Sequence, residues 1–348
     1  LLKEAAEKDL AALSMLDHDQ SFQFGGISIK VSRLKATVLA FLQLLDEDLP
    51  PHAFQYELSQ QFDFYKIKDA AEADDEYPQL LVTGYFQPEL QASLVPDSRF
   101  AYPVYGVPDD LVRVKLRDFG PDLPSVTIWG RISDHGLVPY YTRQEIDSGR
   151  WSNNAPVLAW LASPIDSLML HIQGSGVLRF EDGDMRFVHY AASNGLPYRS
   201  VGNWLIGHGF LNNNQADWPH IRAWAEANPD QLKDALASNP RYIFFKWEKD
   251  GPAGSLGEVL TPLISVALDP VIYPPGALCL IGFDSPQTFG PYRDRGSMGF
   301  VFNQDTGAAI KGPHRLDLYC GAGDQAGEIA GRLKARAEFY IMLVKTPE

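Results

Sequence analysis

The sequence predicts a mixed, β-rich chain of two domains, one interrupted by the other. Three observations predict it. Helical periodicity dominates the first eighty residues. Short apolar runs bounded by Gly and Pro take over from Pro240 onward. A lone early strand-like run, Gln79 to Phe86, lies far in sequence from the C-terminal strands it would complete, so the stretch between reads as an insertion. With 348 residues the chain is long enough for two cores.

The elements follow in order. Lys3 to Asp17 carries Ala and Leu at helical spacing. Ser32 to Asp46 sets Leu34, Val38, Phe41, Leu42 and Leu45 on one stripe, with Ser32 as the expected N-cap. Pro51 to Phe64 continues with Phe54, Leu58 and Phe62, and Pro51 suits a first helical turn. An acidic stretch, Glu72 to Glu76, then gives way to the strand Gln79 to Phe86. Between Pro88 and Ser238, Pro and Gly recur at short intervals. Strands are expected at Ser125 to Ile132, Ser167 to Ile172 and Met185 to Ala191, and helices at Tyr198 to His208 and Trp218 to Ala237. Beyond Pro240, strands are expected at Tyr242 to Trp247, Leu263 to Leu268, Ala277 to Phe283, Met298 to Gln304 and Phe339 to Val344. Gln325 to Ala337 is the one helix of that region. There is no tandem repeat and no low-complexity segment.

Composition narrows the function classes. The formal net charge of −14 argues against duplex nucleic acid or an anionic membrane surface as main partner, since both call for clustered Lys and Arg. The two cysteines, Cys279 and Cys320, fall in expected strands and read as small buried thiols rather than a bridge. No Cys/His spacing indicates a metal, and no cofactor is called for. No apolar run approaches eighteen residues, so no transmembrane helix is expected. The chain opens at Leu1 without signal-peptide features, as a processed or trimmed secreted protein does, and as a chain begun at an arbitrary boundary would too.

The candidate chemistry sits near the C-terminus. Asp305 and Asp317 close short runs in Val301 to Gly321, with the turn-rich Thr306-Gly307-Ala308-Ala309-Ile310-Lys311-Gly312-Pro313 between them. Asp269, ahead of Pro270, is a third carboxylate at a strand-to-turn junction. Ionised carboxylates seldom sit inside apolar strands unless paired or hydrogen-bonded. Three of them in one region point to acid chemistry, the alternative for each being a turn aspartate satisfied by local amides.

These segments resemble the aspartate-bearing barrel of the membrane-bound lytic murein transglycosylase A family. The matching pieces are Asp269-Pro270 with Ile272-Tyr273-Pro274-Pro275-Gly276, Asp305 to Gly312, Arg315-Leu316-Asp317-Leu318-Tyr319 and Gly323 to Glu328. Upstream lie Thr83-Gly84-Tyr85-Phe86, His171 to Gly176, Tyr190 to Tyr198, Asn239 to Phe245 and Gly254-Ser255-Leu256-Gly257. The likeness runs in order from about Leu80 to Lys345. It implies a double-psi β-barrel built from both chain ends, residues 1–88 and 240–348, with a smaller β-rich glycan-binding insert at 89–239 and a groove between them. It also implies cleavage of the β-1,4 bond between N-acetylmuramic acid and N-acetylglucosamine of peptidoglycan without water, leaving a 1,6-anhydro end. The expected setting is the periplasm or cell envelope, with anchoring to the outer membrane through an N-terminal segment absent from this chain. Glycan strands are the expected partner, with no nucleic acid; complexes for cell-wall synthesis or hydrolysis are further candidates. Murein is anionic, so an acidic chain would hold it by hydrogen bonds and stacking.

By motif position Asp317 is the expected acid and base, with apolar neighbours that would raise its pKa. Asp305 is expected to support it, or to be a turn aspartate; Asp269 reads as architecture. Thr83, Gly84 and Tyr85 are expected to line the glycan site, as are Gln173, Gly174, Ser175 and Gly176 after a strand Leu168 to Ile172; Leu318 joins this set. Lys311 is expected to pair with Asp317 or with the lactyl carboxylate of substrate. His171 reads as a satisfied strand residue, and no tryptophan is assigned to the site. Three rival readings remain: an inverting hydrolase with Asp317 as acid and Asp305 as base, a non-catalytic glycan module, and an aspartic protease using Asp305-Thr306-Gly307-Ala308 with Asp147-Ser148-Gly149.

Overall fold

A computed structural model describes residues 1–67, 79–134, 136–151, 155–215, 217–249, 251–283, 287, 289–290 and 297–346. The acidic stretch Glu72 to Glu76 lies outside the described residues. In chain order the elements are α1 (Leu2–Ser14), β1 (Ser21–Phe24), β2 (Ile27–Lys30), α2 (Val31–Asp46), α3 (Pro51–Gln61), β3 (Phe62–Tyr65) and β4 (Leu80–Gln87). Then come β5 (Glu89–Ser93), β6 (Tyr102–Tyr105), β7 (Val112–Lys115), β8 (Thr127–Ser133), β9 (Gly136–Pro139), α4 (Arg143–Asp147), β10 (Val157–Leu161), α5 (Pro164–Gln173) and β11 (Ser175–Arg179). These are followed by β12 (Met185–Ser193), α6 (Val201–Gly207), α7 (Trp218–Ala227), α8 (Pro229–Ala237) and β13 (Ile243–Glu248). The chain ends with β14 (Ser265–Ala267), β15 (Leu278–Phe283), β16 (Met298–Asp305), β17 (Arg315–Ala322), α9 (Gly323–Arg332) and β18 (Lys334–Val344). The architecture is mixed and β-rich.

Two compact units result: Leu1–Phe86 with Asp250–Glu348, and Gln87–Lys249. In the first, the strand order is β15-β16-β14-β17-β4-β18-β3, and β15 also pairs with β18. The pairing therefore returns on itself through six strands, with β3 added outside on β18. An early strand, β4, stands between β17 and β18. That ring buries a core of Val82, Val266, Leu278, Ile281, Phe302, Leu316, Leu318 and Ile341, against which α1 and α2 pack Leu13, Leu34 and Phe41.

The second unit has a six-stranded sheet, β13-β12-β11-β5-β10-β6, and a three-stranded sheet, β7-β8-β9. The inward face of the larger sheet carries Leu90, Val104, Leu161, Leu178, Val188 and Phe245. Helices α5 to α8 share a separate cluster that includes Leu168, Leu205, Ile221 and Trp224.

Several expectations change. The first eighty residues are not all helical, because the hairpin β1–β2 occupies Ser21–Lys30. Helix α2 begins at Val31, its N-cap position is held by the extended Lys30 and no side chain caps it, so Ser32 is inside the helix. The third helix stops at Gln61, where Phe62 turns extended and opens β3. Trp218 to Ala237 is two helices split at Asn228-Pro229. The last helix ends at Arg332, and Lys334 already lies in β18.

The clearest reversal concerns Ser167 to Ile172, expected as a strand and found in α5. An apolar run of that length does not separate strand from buried helix by periodicity. The caps decide it. Ser163 accepts the Ile165 N–H, Pro164 takes the first turn, and Gly174 closes the helix at φ +79° with its N–H on the Leu170 carbonyl.

Candidate active site

β14 is three residues long, and its last residue, Ala267, stands opposite Asp305 of β16 on one side and Asp317 of β17 on the other. Two interstrand steps therefore separate the two aspartate backbones, about 9.5 Å. Period-2 alternation then fixes the faces. On β17, Arg315 and Asp317 are half-buried while Leu316, Leu318 and Cys320 fill the core. On β4, Thr83 and Tyr85 share one face and Leu80 and Val82 are buried on the other.

A hydrogen-bond chain orients Asp317. Arg315 Nη2 donates to Thr83 Oγ1 at 3.3 Å, and Thr83 Oγ1 donates its proton to Asp317 Oδ1 at 2.6 Å. Among the described residues, no hydrogen bond reaches Asp317 Oδ2. Burial pushes this carboxyl up to about 6, against the opposing pull of the Thr83 bond and the Arg315 charge.

Asp305 is held differently, with both oxygens engaged. Tyr85 Oη donates to Oδ2 at 2.7 Å and the Thr306 N–H to Oδ1 at 2.8 Å. Its carboxyl is also pushed up to about 6, first by burial and further by the negative charge of Asp317, while the two hydrogen bonds pull it down. Tyr85 is tied to both acids: burial and the charges of Asp305 and Asp317 hold its phenol far above the ordinary range, so it acts as a donor. Its ring lies 5.4 Å from that of Tyr319.

Sequence reasoning passed over two participants. Arg315 was legible two residues before Asp317, on the same strand face. Glu258 was not: it follows the Gly254-Ser255-Leu256-Gly257 turn, and no local pattern marks it. Burial and the Asp305 charge push its carboxyl up to about 7, and neither oxygen has a hydrogen-bond partner among the described residues.

Other expected residues are placed elsewhere. Gly84 faces away from the acids. A Cβ there would stand 2.7 Å from Ala330 Cα and 2.9 Å from Cys320 Sγ, so this glycine admits α9 to the sheet. Leu318 is fully buried on the face opposite Asp317 and fills the core rather than a binding surface. Lys311 does not pair with Asp317; it is exposed and its Nζ lies 3.8 Å from Asp269 Oδ1. Asp269 accepts the N–H groups of Val271 and Gly312 at 3.1 and 2.8 Å, the bonding of a turn aspartate.

In the second unit, Gln173 ends α5, Gly174 caps it, and Ser175 opens β11 opposite His189. Gly176 is buried, and a Cβ on it would meet Leu170 Cδ1 at 2.6 Å. His171 is a helix residue, not a strand residue. Its Nδ1 accepts the Ile243 N–H at 3.0 Å, and burial holds the ring well below its usual pKa, neutral between Tyr242 and Phe245. Asp147 sits in α4 of this unit beside Arg143, whereas Asp305 lies in the first, so the two loops of the protease reading are not matched halves. Both cysteines are free and buried. Among the described residues, no cluster of His, Cys, Asp and Glu could hold a metal, and no helix is long and apolar enough to cross a membrane.

Comparison with known proteins gives one consistent result. Residues 81–246 match the MltA specific insert domain and residues 264–343 the 3D domain. Membrane-bound lytic murein transglycosylase A of Escherichia coli K12 is 32% identical over 263 residues, 75% of this chain and 64% of that protein. The chain thus spans a little under two thirds of the length of the curated relatives it matches. Among solved structures, a membrane-bound lytic murein transglycosylase from Agrobacterium tumefaciens aligns with a TM-score of 0.79 and 28% identity, covering 98% of this chain and 92% of its own. MltA from Neisseria gonorrhoeae, in a monoclinic form, aligns with a TM-score of 0.75 and 27% identity, covering 99% and 88%.

Proposed function

The chain belongs to the membrane-bound lytic murein transglycosylase A family, and from that premise we propose that it cleaves peptidoglycan glycan strands as a lytic transglycosylase. The bond broken is the β-1,4 link from C1 of N-acetylmuramic acid to the oxygen of N-acetylglucosamine. Asp317, protonated, gives its proton to that oxygen as the bond to C1 breaks. The muramoyl C6 hydroxyl attacks C1 and returns its proton to the Asp317 carboxylate, closing a 1,6-anhydro ring and restoring the acid. No water is consumed. Because the nucleophile belongs to the same sugar, its attack carries little entropic cost.

The observation that carries this reading is the asymmetry of the two acids. Asp317 has one oxygen oriented by Thr83 and, among the described residues, no bond to the other, at a pKa of about 6 suited to both giving and taking a proton. Asp305 has both oxygens occupied and acts on the site through Tyr85 and through its charge. Asp305 is committed to Tyr85 and to the Thr306 amide, so the inverting-hydrolase reading, which needs it to hold and activate a water, is the weaker one.

We read the six-strand ring as a double-psi barrel and the insert, residues 87–249, as the glycan-binding domain, with Gln173 and Ser175 among its contacts. The partner is the glycan strand and the setting the cell envelope, in line with the membrane-bound naming of the relatives. Mass spectrometry of soluble products from purified sacculi tests the chemistry. Anhydro-muramoyl ends are expected; free reducing ends would establish hydrolysis, and no release would leave a binding module.

A further inference from the structure

The mechanism leaves the buried carboxyl of Glu258 unused. Both of its oxygens are shielded from water and accept nothing among the described residues. The charged groups that reach it are acids. Asp305 of β16 raises the proton affinity of Glu258, and the Glu258 charge in turn raises that of Asp9 on α1. Among the described residues no cation offsets either of them. A buried carboxylate without partners is costly, whereas the neutral acid in the same place costs far less.

Glu258 closes a small loop, residues 252–260, within the first unit. The Gly254 N–H donates to the Glu258 carbonyl at 2.7 Å, the Leu260 N–H to the Pro252 carbonyl at 2.8 Å, and Ala253 bridges to Val259. Gly257 makes the reversal at φ +91°. The loop is fastened to β16 at the peptide unit that joins Gln304 to Asp305. Ser255 donates twice to the Gln304 carbonyl, from its N–H at 3.0 Å and its Oγ at 3.4 Å. A Cβ on Gly254 would stand 2.3 Å from that same oxygen, so the approach requires a glycine. The Ser255 amide also pulls the Asp305 carboxyl down. The side chain of Gln304 is fixed separately. Its Nε2 donates to Asp9 Oδ1 at 3.2 Å and to the Ala5 carbonyl at 3.3 Å, and its Oε1 accepts from Ser265 Oγ at 2.5 Å.

We propose that Glu258 is a positioning residue for the acid pair: its uncharged carboxyl keeps the loop 252–260 closed on β16 and so holds Asp305 in place, and its ionisation opens the loop. This rests on the transglycosylase reading and adds a second proton, beyond that of Asp317, on which activity depends. An ionised Glu258 has to reach water, and the loop can swing outward to let it, since Ser255 and Gly257 are already exposed. Opening removes both Ser255 bonds from the Gln304 carbonyl and the Ser255 amide from Asp305. Glu258 thus acts through Asp305, which carries the Tyr85 bond.

Two measurements on the full chain test this. With the loop closed Glu258 titrates at about 7, against an ordinary 4.5 once it is solvated. The closed form therefore binds more protons between those values, and closure weakens as pH rises through them, by up to about tenfold per unit. Amide exchange at Ser255, followed by NMR without substrate and corrected for the intrinsic rate, should lose at least about tenfold in protection between pH 5 and pH 7. Glu258→Gln, which keeps the size and removes the ionisation, should abolish that loss. In glycan cleavage, the ratio of kcat/KM of Glu258→Gln to that of the wild type should rise about tenfold or more between pH 6 and pH 8, because the wild type alone loses the second proton. Wild-type protection that stays constant with pH, the same pH dependence in the variant, or a kcat/KM ratio that does not change with pH overturns the proposal. If the variant does not fold, the wild-type exchange still decides. Exchange needs no substrate, so an absence of anhydro products counts against the transglycosylase reading and leaves the loop to be judged by its own measurement.

Discussion

Replacing Asp317 by Asn should abolish cleavage and, above pH 6, stabilise the fold. The side chain keeps its size, and its Oδ1 still accepts from Thr83; what disappears is the proton. In the native state the carboxyl titrates at about 6, and unfolded at about 3.8. Between those values the native state binds more protons than the unfolded one, so this group's contribution to stability falls as pH rises through the window. From these two values the retained proton stabilises the wild type by about 2 kcal/mol at pH 4.5 and by almost nothing at pH 7.5. Asn carries no such dependence. Urea unfolding of both proteins at the two pH values should therefore show the variant gaining on the wild type by about 2 kcal/mol between pH 4.5 and pH 7.5. A stability difference that stays constant with pH would refute the raised acid. Retention of a substantial share of anhydro-product formation would refute its role.

Thr83→Val removes the donor to Asp317 and leaves Arg315 Nη2 without its acceptor; a bond to a charged group is worth roughly 1.5–3 kcal/mol, so the alkaline limb of the pH–rate profile should move up by about one to two units. An unmoved limb would show that Thr83 does not set the acid. Tyr85→Phe frees Asp305 Oδ2 and should cut turnover about tenfold or more with glycan affinity nearly unchanged, as loss of one charged hydrogen bond predicts; an equal loss in affinity would make Tyr85 a binding residue instead. Gly84→Ala drives a Cβ to 2.7 Å from Ala330 Cα, and overpacking of this kind costs about 1–3 kcal/mol. Its urea midpoint should fall, and an unchanged midpoint would mean α9 does not need that close approach.

Motif position, through the family resemblance, set Asp317 and Thr83 as candidates; the strand over Gln79 to Phe86 was legible locally, whereas β17 was not expected. The same resemblance also drew in Gly84 and Leu318. Gly84 follows Thr83 and Leu318 follows Asp317, yet the alternation that turns Thr83 and Asp317 one way turns these neighbours the other. For α5 the run Ser167 to Ile172 was ambiguous by itself, and the informative residues were Ser163, Pro164 and Gly174 at its ends.

What the sequence determined alone was local: the alternation on β4 and β17, the turn chemistry of Asp269, and the order of the motifs. The tertiary structure decided which distant groups met. Thr83 and Asp317 are 234 residues apart and joined by one hydrogen bond, Tyr85 and Asp305 are 220 apart, and Glu258 feels the Asp305 charge from a glycine turn. Nothing in a window of sequence carries those distances, because strand neighbours are selected by burying a common core, and a carboxyl's proton affinity depends on whatever that burial brings beside it.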